Sequence, residues 1–299
     1  MSPEQALSGE VRTVALLGAG STMGRGIAGN LAPEFEVRAW NRTPEKLAEL
    51  AGKEGVVVCD SAREAADGAD VVLTMLSDGA AVLATMEGDD GGLAGARPGA
   101  TWLQMSTIGL EATARCAELA GEAGLVFVDA PVLGTRKPAE EGQLVVLGSG
   151  PQEAREQLEP LLRAVGKRTL WAGRAGTGSR LKVAVNTWIV TVVEGAAEML
   201  ALAEALGLDP QMALDAVKDG PLDQPYLQLK SKMMLKREFT PSFRLELAAK
   251  DAGLALAAAA GEGLELPMLA AIHRRLVDAS RDHGDEDLAA VYLASSPSD

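Results

Sequence analysis

Lys182 and Asn186 stand four positions apart in the segment Gly176-Thr-Gly178-Ser-Arg-Leu-Lys182-Val-Ala-Val-Asn186. On an α-helix that spacing puts both side chains on one face. Lys182 sits among Leu181, Val183, Ala184 and Val185, just after a glycine-rich start. Partial desolvation and the positive end of a helix both disfavour an ammonium, which brings a lysine toward proton transfer at neutral pH. Lys182 is therefore a candidate acid/base group, with Asn186 orienting it or the substrate. A lysine snorkelling from a mostly buried helix fits the same pattern.

A second constellation names the chemistry such a lysine would serve. Gly18, Ala19, Gly20, Ser21, Thr22, Met23 and Gly24 lie between an apolar run, Thr13-Val-Ala-Leu-Leu, and a helical pattern. Glycines there allow a tight turn and let backbone N–H groups reach a pyrophosphate at the helix N-terminus. The third glycine comes one residue later than G-x-G-x-x-G requires, so a slightly wider turn is expected. In NAD sites an acid about 20 residues beyond the glycines bonds the ribose 2′-hydroxyl. Here the region reads Asn41-Arg42-Thr43, with no carboxylate to repel a 2′-phosphate and a guanidinium to pair with one. NADP(H) is the expected cofactor, with Arg42 as a solvated loop charge the competing reading. Lys182 would then donate a proton to a carbonyl oxygen as hydride arrives from the nicotinamide.

The elements that must position these groups follow from the apolar pattern. The run before the glycines and Glu36-Val-Arg-Ala-Trp40 read as two strands of a βαβ opening. Short apolar runs recur at 56–58, 71–76, 101–105, 126–128 and 144–147, separated by Ala- and Glu-rich helical segments. Strands alternating with helices imply an α/β class with a largely parallel, doubly wound Rossmann-type sheet. Beyond Trp171 the pattern changes to a long helix over about 179–206, with no convincing strand after it. The expected organisation is a cofactor domain over 1–173 and an all-α substrate and oligomerisation domain over 174–299. The long helix is apolar on more than one face, through Leu181, Val185, Trp188, Ile189, Val192, Val193, Met199 and Leu202, which suggests packing on both domains and a homodimer or homotetramer. Asp209-Pro210 and Pro267 read as later helix starts.

Bulk properties narrow the partners. With 28 Lys and Arg against 42 Asp and Glu, the net charge of −14 and the lack of a basic block speak against nucleic acid. Cys59 and Cys116 offer neither a disulfide framework nor a metal spacing, and His273 and His283 read as surface residues, so no metal site is expected. No leader and no run near the roughly 18 apolar residues of a membrane span is evident. A small-molecule substrate and a cytoplasmic setting are expected.

At this point the chain resembles the β-hydroxyacid dehydrogenases, which include 3-hydroxyisobutyrate dehydrogenase and the glyoxylate and succinic semialdehyde reductases. The likeness runs nearly the whole length, through Met23-Gly24, Trp40-Asn-Arg-Thr43, Met105-Ser106-Thr107, Asp129-Ala-Pro-Val132, the segment from Gly176 to Asn186, and Phe243 followed by Lys250-Asp251. Lys137-Pro-Ala-Glu-Glu-Gly-Gln-Leu144 looks most like the glyoxylate and succinic semialdehyde reductase branch. The resemblance implies an active site in a cleft between the two domains, with Lys182 as general acid/base. It implies that Thr107, Gly134, Thr135 and Asn186 line the substrate pocket, that Phe243, Lys250 and Asp251 close it, and that Thr107 and Lys250 also reach the cofactor. Met75, Leu76 and Ser77 would pass its nicotinamide side. One departure stands out: the family usually reads Pro-Val-Ser-Gly-Gly, its serine helping to anchor the substrate carboxylate, where this chain has Pro131-Val-Leu133-Gly134-Thr135. Leucine cannot donate a hydrogen bond, so the pocket beside Leu133 is expected to be less polar.

Reduction of a small aldehyde or ketoacid is the leading expectation. Imine reduction on the same scaffold is motivated by Leu133 and opposed by Lys182, since imine reductases of this fold generally lack the lysine. A non-catalytic NADP-binding subunit is opposed by the presence of both Lys182 and Asn186. A phosphorylated sugar-acid dehydrogenase would want clustered Arg or Lys near the pocket, and the second domain reads as too small and too acidic for that.

Overall fold

The structure, a computed structural model, describes residues 10–295. Six strands pair in parallel: β1 (Thr13–Leu17), β2 (Glu36–Trp40), β3 (Val56–Val58), β4 (Val71–Thr74), β5 (Thr101–Gln104) and β6 (Val126–Asp129), in the order β3-β2-β1-β4-β5-β6. β4 and β5 are buried at every position, which is why they read as continuous apolar runs rather than alternating ones. Their side chains still alternate between two cores: Leu73 and Leu103 join Val14, Leu16, Ile27 and Leu31 on one face. Val72 and Trp102 join Ala15, Leu17 and Phe127 on the other, where the Trp102 and Phe127 rings meet edge-on with centroids 5.5 Å apart. Chain direction across the sheet reverses between β1 and β4, whose ends lie in register with Leu17 opposite Thr74. In open α/β sheets that reversal leaves a crevice at the carboxyl ends of the strands, where ligands bind.

The helices of this part are α1 (Thr22–Leu31), α2 (Ala62–Ala66), α3 (Gly79–Met86), α4 (Gly92–Gly95) and α5 (Gly109–Glu122). After β6 come β7 (Val132–Leu133), α6 (Arg136–Glu140), β8 (Leu144–Gly148), α7 (Gln152–Val165) and β9 (Gly166–Trp171). The apolar run at 144–147 thus belongs to a separate three-stranded sheet, β7-β8-β9, in which β8 pairs antiparallel with β7 and parallel with β9. The doubly wound parallel sheet is as expected, and of the runs read as its strands the one at 144–147 lies outside it. β7 is two residues long, and β9 reads Gly-Lys-Arg-Thr-Leu-Trp, an edge strand whose exposed positions remove the apolar signal.

Helix α8 (Thr177–Ala205) follows, and then α9 (Pro210–Val217), α10 (Pro225–Lys236), α11 (Leu245–Gly261) and α12 (Pro267–His283), so the second part is helical. The chain divides into two compact units, Met1–Lys182 and Val183–Asp299, the break falling inside α8. Asp209 caps α9 by accepting from the Gln211 amide, with Pro210 in the first turn, and Pro267 opens α12. By length and composition α8 is long enough to cross a bilayer, contrary to the expectation from the sequence, yet it carries Lys182, Asn186 and Glu194 as buried polar side chains. Such groups mark a helix whose interior face is committed to protein contacts.

The second unit is organised around a buried ion pair. Lys230 Nζ donates to Asp287 Oδ1 at 2.6 Å, and both residues are fully buried. Asp287 Oδ2 accepts from the Ser242 amide at 2.9 Å, the Ser242 hydroxyl at 2.8 Å and the Phe243 amide at 3.2 Å, and Oδ1 also accepts from the Ala289 amide at 3.0 Å. These bonds join α10, the loop before α11 and the short 3-10 helix Leu288–Ala294.

Candidate active site

The glycine loop leaves β1 and enters α1 through contacts that only glycine permits. Gly18 has φ +96°, and a Cβ there would lie 2.3 Å from the Met75 carbonyl oxygen and 2.9 Å from Leu76 Cδ2. A Cβ on Gly20 would meet Lys46 Cβ at 2.7 Å and Asn41 Cγ at 2.8 Å, and one on Gly24 would meet the Gly18 carbonyl oxygen at 2.2 Å. The displaced third glycine therefore lies inside α1, packed on the loop's own backbone. The Gly18 and Ala19 amides donate to the Trp40 carbonyl at 2.9 and 3.1 Å, tying the loop to the end of β2. Ser21 caps α1, its Oγ accepting from the Gly24 amide at 2.9 Å. The first-turn amides of Thr22 and Met23 have no carbonyl one turn back within the helix, which is the condition for anion binding at a helix start.

Around this loop the structure gathers Asn41, Met75 and Leu76. Asn41 Nδ2 donates to the Thr43 carbonyl at 2.9 Å, which shapes the turn carrying the exposed Arg42 and Thr43. Lys46, on the 3-10 helix Pro44–Leu47, stands beside Gly20 as a second exposed cation that the sequence reading missed. A dinucleotide would be held by these residues: the glycines would let the backbone approach its pyrophosphate, the first-turn amides of α1 could donate to it, and Arg42 and Lys46 at the end of β2 would lie toward its ribose.

Next to the loop, the ends of β4 and β5 are held together by Ser106, whose Oγ accepts from the Leu76 amide at 2.8 Å and donates to the Thr74 carbonyl at 3.2 Å. This fixes the backbone at Met75 and Leu76 and places Thr107, half-buried, directly after it. Ser77 Oγ donates to Asp78, which caps α3. Leu133 ends β7, half-buried and opposite Val145. Gly134 has φ +136°, and a Cβ there would lie 2.7 Å from Leu144 Cδ2 and 3.2 Å from Pro138 Cβ; Thr135, the residue preceding α6, follows it.

Lys182 is 8% exposed and Asn186 2%, on the same face of α8. Asn186 Nδ2 donates to Asp251 Oδ2 at 2.7 Å, while Asn186 Oδ1 is buried and has no partner among the described residues. The amide is thus fixed with its acceptor oxygen unused. Asp251 is itself buried and pairs with the Lys250 ammonium at 2.9 Å. Phe243, half-buried, is held by its backbone: its amide donates to Asp287, and its carbonyl accepts from the Leu288 amide at 2.8 Å. Asn186, Asp251 and Lys250 therefore form one polar cluster in the second unit, whereas the glycine loop, Asn41, Met75, Leu76 and Ser106 are grouped in the first, with Thr107 next in sequence.

The two cysteines of the first unit are poor candidates for a nucleophile. Burial, then Glu64, pushes the Cys59 thiol up to about 11, and burial, then Asp129, pushes Cys116 up to about 12. Thiols so raised stay protonated at neutral pH. Among the described residues no cluster of three His, Cys, Asp or Glu side chains is placed to ligate a metal.

A family model for the NAD binding domain of 6-phosphogluconate dehydrogenase matches residues 13–173, and one for the NAD-binding of NADP-dependent 3-hydroxyisobutyrate dehydrogenase matches 176–294. Glyoxylate/succinic semialdehyde reductase 1 of Arabidopsis thaliana is 34% identical over 283 residues, covering 94% of this chain and 97% of that protein. The chloroplastic reductase 2 of the same plant is 31% identical over 285 residues, covering 94% and 79%. Among solved structures, the Mycobacterium tuberculosis 3-hydroxyisobutyrate dehydrogenase with L-serine aligns with a TM-score of 0.85 at 30% identity, covering 95% of this chain and 99% of its own. Matched in both halves, and by relatives along nearly its whole length, the chain belongs to the β-hydroxyacid dehydrogenase family, nicotinamide-dependent oxidoreductases that act on CH–OH and carbonyl groups of small molecules.

Proposed function

We propose that this protein is an NADP(H)-dependent reductase of small aldehydes and ketoacids of the glyoxylate and succinic semialdehyde type, with oxidation of the corresponding hydroxyacid as the reverse reaction. The observation that carries the reading is the buried pair Lys182 and Asn186 on one face of α8, with the Asn186 amide oriented by Asp251. When bound, the cofactor supplies the hydride that reaches the carbonyl carbon. Lys182 donates a proton from Nζ to the carbonyl oxygen, so that hydride plus proton yields the alcohol; in the reverse direction it takes the hydroxyl proton. Asn186 spends Nδ2 on Asp251 and keeps Oδ1 to accept from the lysine ammonium or the substrate hydroxyl, which aligns donor and acceptor. Leu133 supplies an apolar wall and Thr135 the nearby hydroxyl, so a substrate carboxylate is anchored by fewer donors than in relatives with serine at the Leu133 position.

The test is NADPH consumption with glyoxylate, succinic semialdehyde, longer aldehydes and cyclic imines. Turnover of the first two is expected; turnover of cyclic imines alone would replace this reading with imine reduction. NADP(H) over NAD(H) rests on Arg42, aided by Lys46, and on the lack of an acid at the end of β2. Arg42→Ala is expected to weaken NADPH binding about 10-fold and NADH binding less than twofold, because only the 2′-phosphate loses its charge-assisted partner. Equal losses for both cofactors, read by fluorescence titration, would remove Arg42 from this role. Trp188 and Leu202 on α8 are each 60% exposed in the single chain, which supports burial in a homodimer or homotetramer, to be read by sedimentation. The two unpaired cysteines suit a reducing, cytoplasmic setting.

A further inference from the structure

Asp129 is the last residue of β6 and is fully buried, yet none of the roles above uses it. Its carboxylate is occupied by the start of α8: the Ser179 amide donates to Oδ2 at 2.7 Å and the Ser179 hydroxyl to Oδ1 at 2.7 Å. Ser149, on the residue after β8, adds its hydroxyl to Oδ2 at 3.3 Å and to the Asp129 carbonyl at 3.1 Å, and accepts from the Gly178 amide at 2.9 Å. The backbones of Asp129 and Ser149 exchange bonds of 2.9 and 2.7 Å. Behind Ser179, the Thr113 hydroxyl of α5 lies 3.1 Å from its Oγ. Gly178 is pressed into the same junction, since a Cβ on it would lie 2.2 Å from the Leu147 carbonyl oxygen. Burial pushes the Asp129 carboxyl above its ordinary range, partly offset by the bonds from Ser179, Ser149 and Gly176.

Lys182 lies one turn after Ser179 on the same face of α8. The strand that ends at Asp129 continues through Pro131 into Leu133, Gly134 and Thr135. One buried carboxylate therefore joins the first turn of the helix that bears the lysine to the root of the loop bearing the pocket residues. We propose that Asp129, through Ser179, is the positioning residue of the reaction: it sets where Lys182 Nζ stands relative to the loop Leu133–Thr135. This rests on Lys182 being the proton donor. A misplacement of about 1 Å in a reacting group costs about 10²-fold in rate, so a loosened first turn acts on catalysis before it acts on cofactor affinity.

The variants are Asp129→Asn, which keeps the shape and removes the charge, and Asp129→Ala, which leaves the Ser179 amide buried without an acceptor. Three quantities are read on each folded protein: kcat, the Kd for NADPH, and the rate at which acetic anhydride acylates Lys182, followed by peptide mass spectrometry without substrate or cofactor. In Asp129→Asn we expect kcat to fall at least 5-fold, Lys182 acylation to rise at least threefold, and the NADPH Kd to stay within twofold. Asp129→Ala is expected to exceed both changes; should it fail to fold, Asp129→Asn decides alone. Acylation that rises less than threefold in folded Asp129→Asn overturns the proposal whatever the activity. A loss of NADPH affinity parallel to the loss of kcat overturns it too, since that is general damage. If the wild-type protein reduces none of the carbonyls, the proposed function fails, and the acylation rate still decides whether Asp129 positions the lysine.

Discussion

Lys182→Ala is expected to lower kcat for carbonyl reduction by about 10²–10⁴-fold, the usual contribution of a positioned proton donor. The Kd for NADPH should change by less than twofold, because the glycine loop, Arg42 and the ends of β4 and β5 are built without it. A side chain 8% exposed leaves little room for bulk water to replace it as the donor. Lys182→Arg is not expected to rescue, since a guanidinium keeps its proton at any working pH and its planar fork is wider than an ammonium. Asn186→Ala should cost less than Lys182→Ala, about 10-fold, as it removes an aligning acceptor and leaves the acid in place. Stopped-flow and steady-state rates on folded variants check this. A loss under 5-fold for Lys182→Ala would take the lysine out of the chemistry.

Why the lysine and the glycine loop were legible in the sequence, while what holds them was not, has a physical basis. The loop is local: Gly18 needs a positive φ, and Gly20 and Gly24 need missing side chains, all within one strand–turn–helix. Lys182 and Asn186 are local as well, since helix periodicity alone puts them on one face. The seat of α8 is not local, because Asp129 and Ser179 are separated by 50 positions, and Val-Phe-Val-Asp129 reads only as the end of an apolar strand. A carboxylate closing an apolar strand was the available signal, since such a group, once buried, needs partners. Lys46 was missed three residues beyond Thr43, although Pro44 announces the short helix that turns it toward Gly20. The second sheet escaped for the opposite reason: β9 carries too few apolar residues, and β7 too few residues, for any periodicity to register.

The same limit applies to the pair that organises the second unit, Lys230 and Asp287, 57 positions apart, and it leads to the largest expected effect on stability. Asp287→Ala would leave the buried Lys230 ammonium and Ala289 amide, and the partly buried amides of Ser242 and Phe243, without their acceptor. Breaking a buried pair from one side costs about 3–5 kcal/mol, because the remaining charge is uncompensated. Replacing both partners with apolar residues, Lys230→Met with Asp287→Leu, should cost less than the single change, although the three amides remain unpaired. Chemical unfolding midpoints at neutral pH check both expectations. Burial opposes ionisation of Asp287, but the Lys230 ammonium and the amides of Ala289 and Ser242 outweigh it and hold the carboxyl below the usual range. Its folded pKa is therefore lower than the unfolded value of about 3.9, so its stabilisation is complete above that value and is lost as pH falls toward the folded pKa. Stability of the wild-type protein should accordingly fall more steeply below about pH 4 than that of Asp287→Asn, which has no proton to take up there. Equal slopes for the two proteins in acid would mean that folding leaves the Asp287 pKa unshifted and that Lys230 does not favour its ionised form. The functional consequence runs through Phe243 and α11: the carboxylate that stabilises the unit also fixes the start of the helix carrying Lys250 and Asp251, and Asp251 orients Asn186. Asp287→Asn, if folded, should therefore lower kcat more than it raises the KM for NADPH, and a change confined to that KM would break the link between this pair and the reaction.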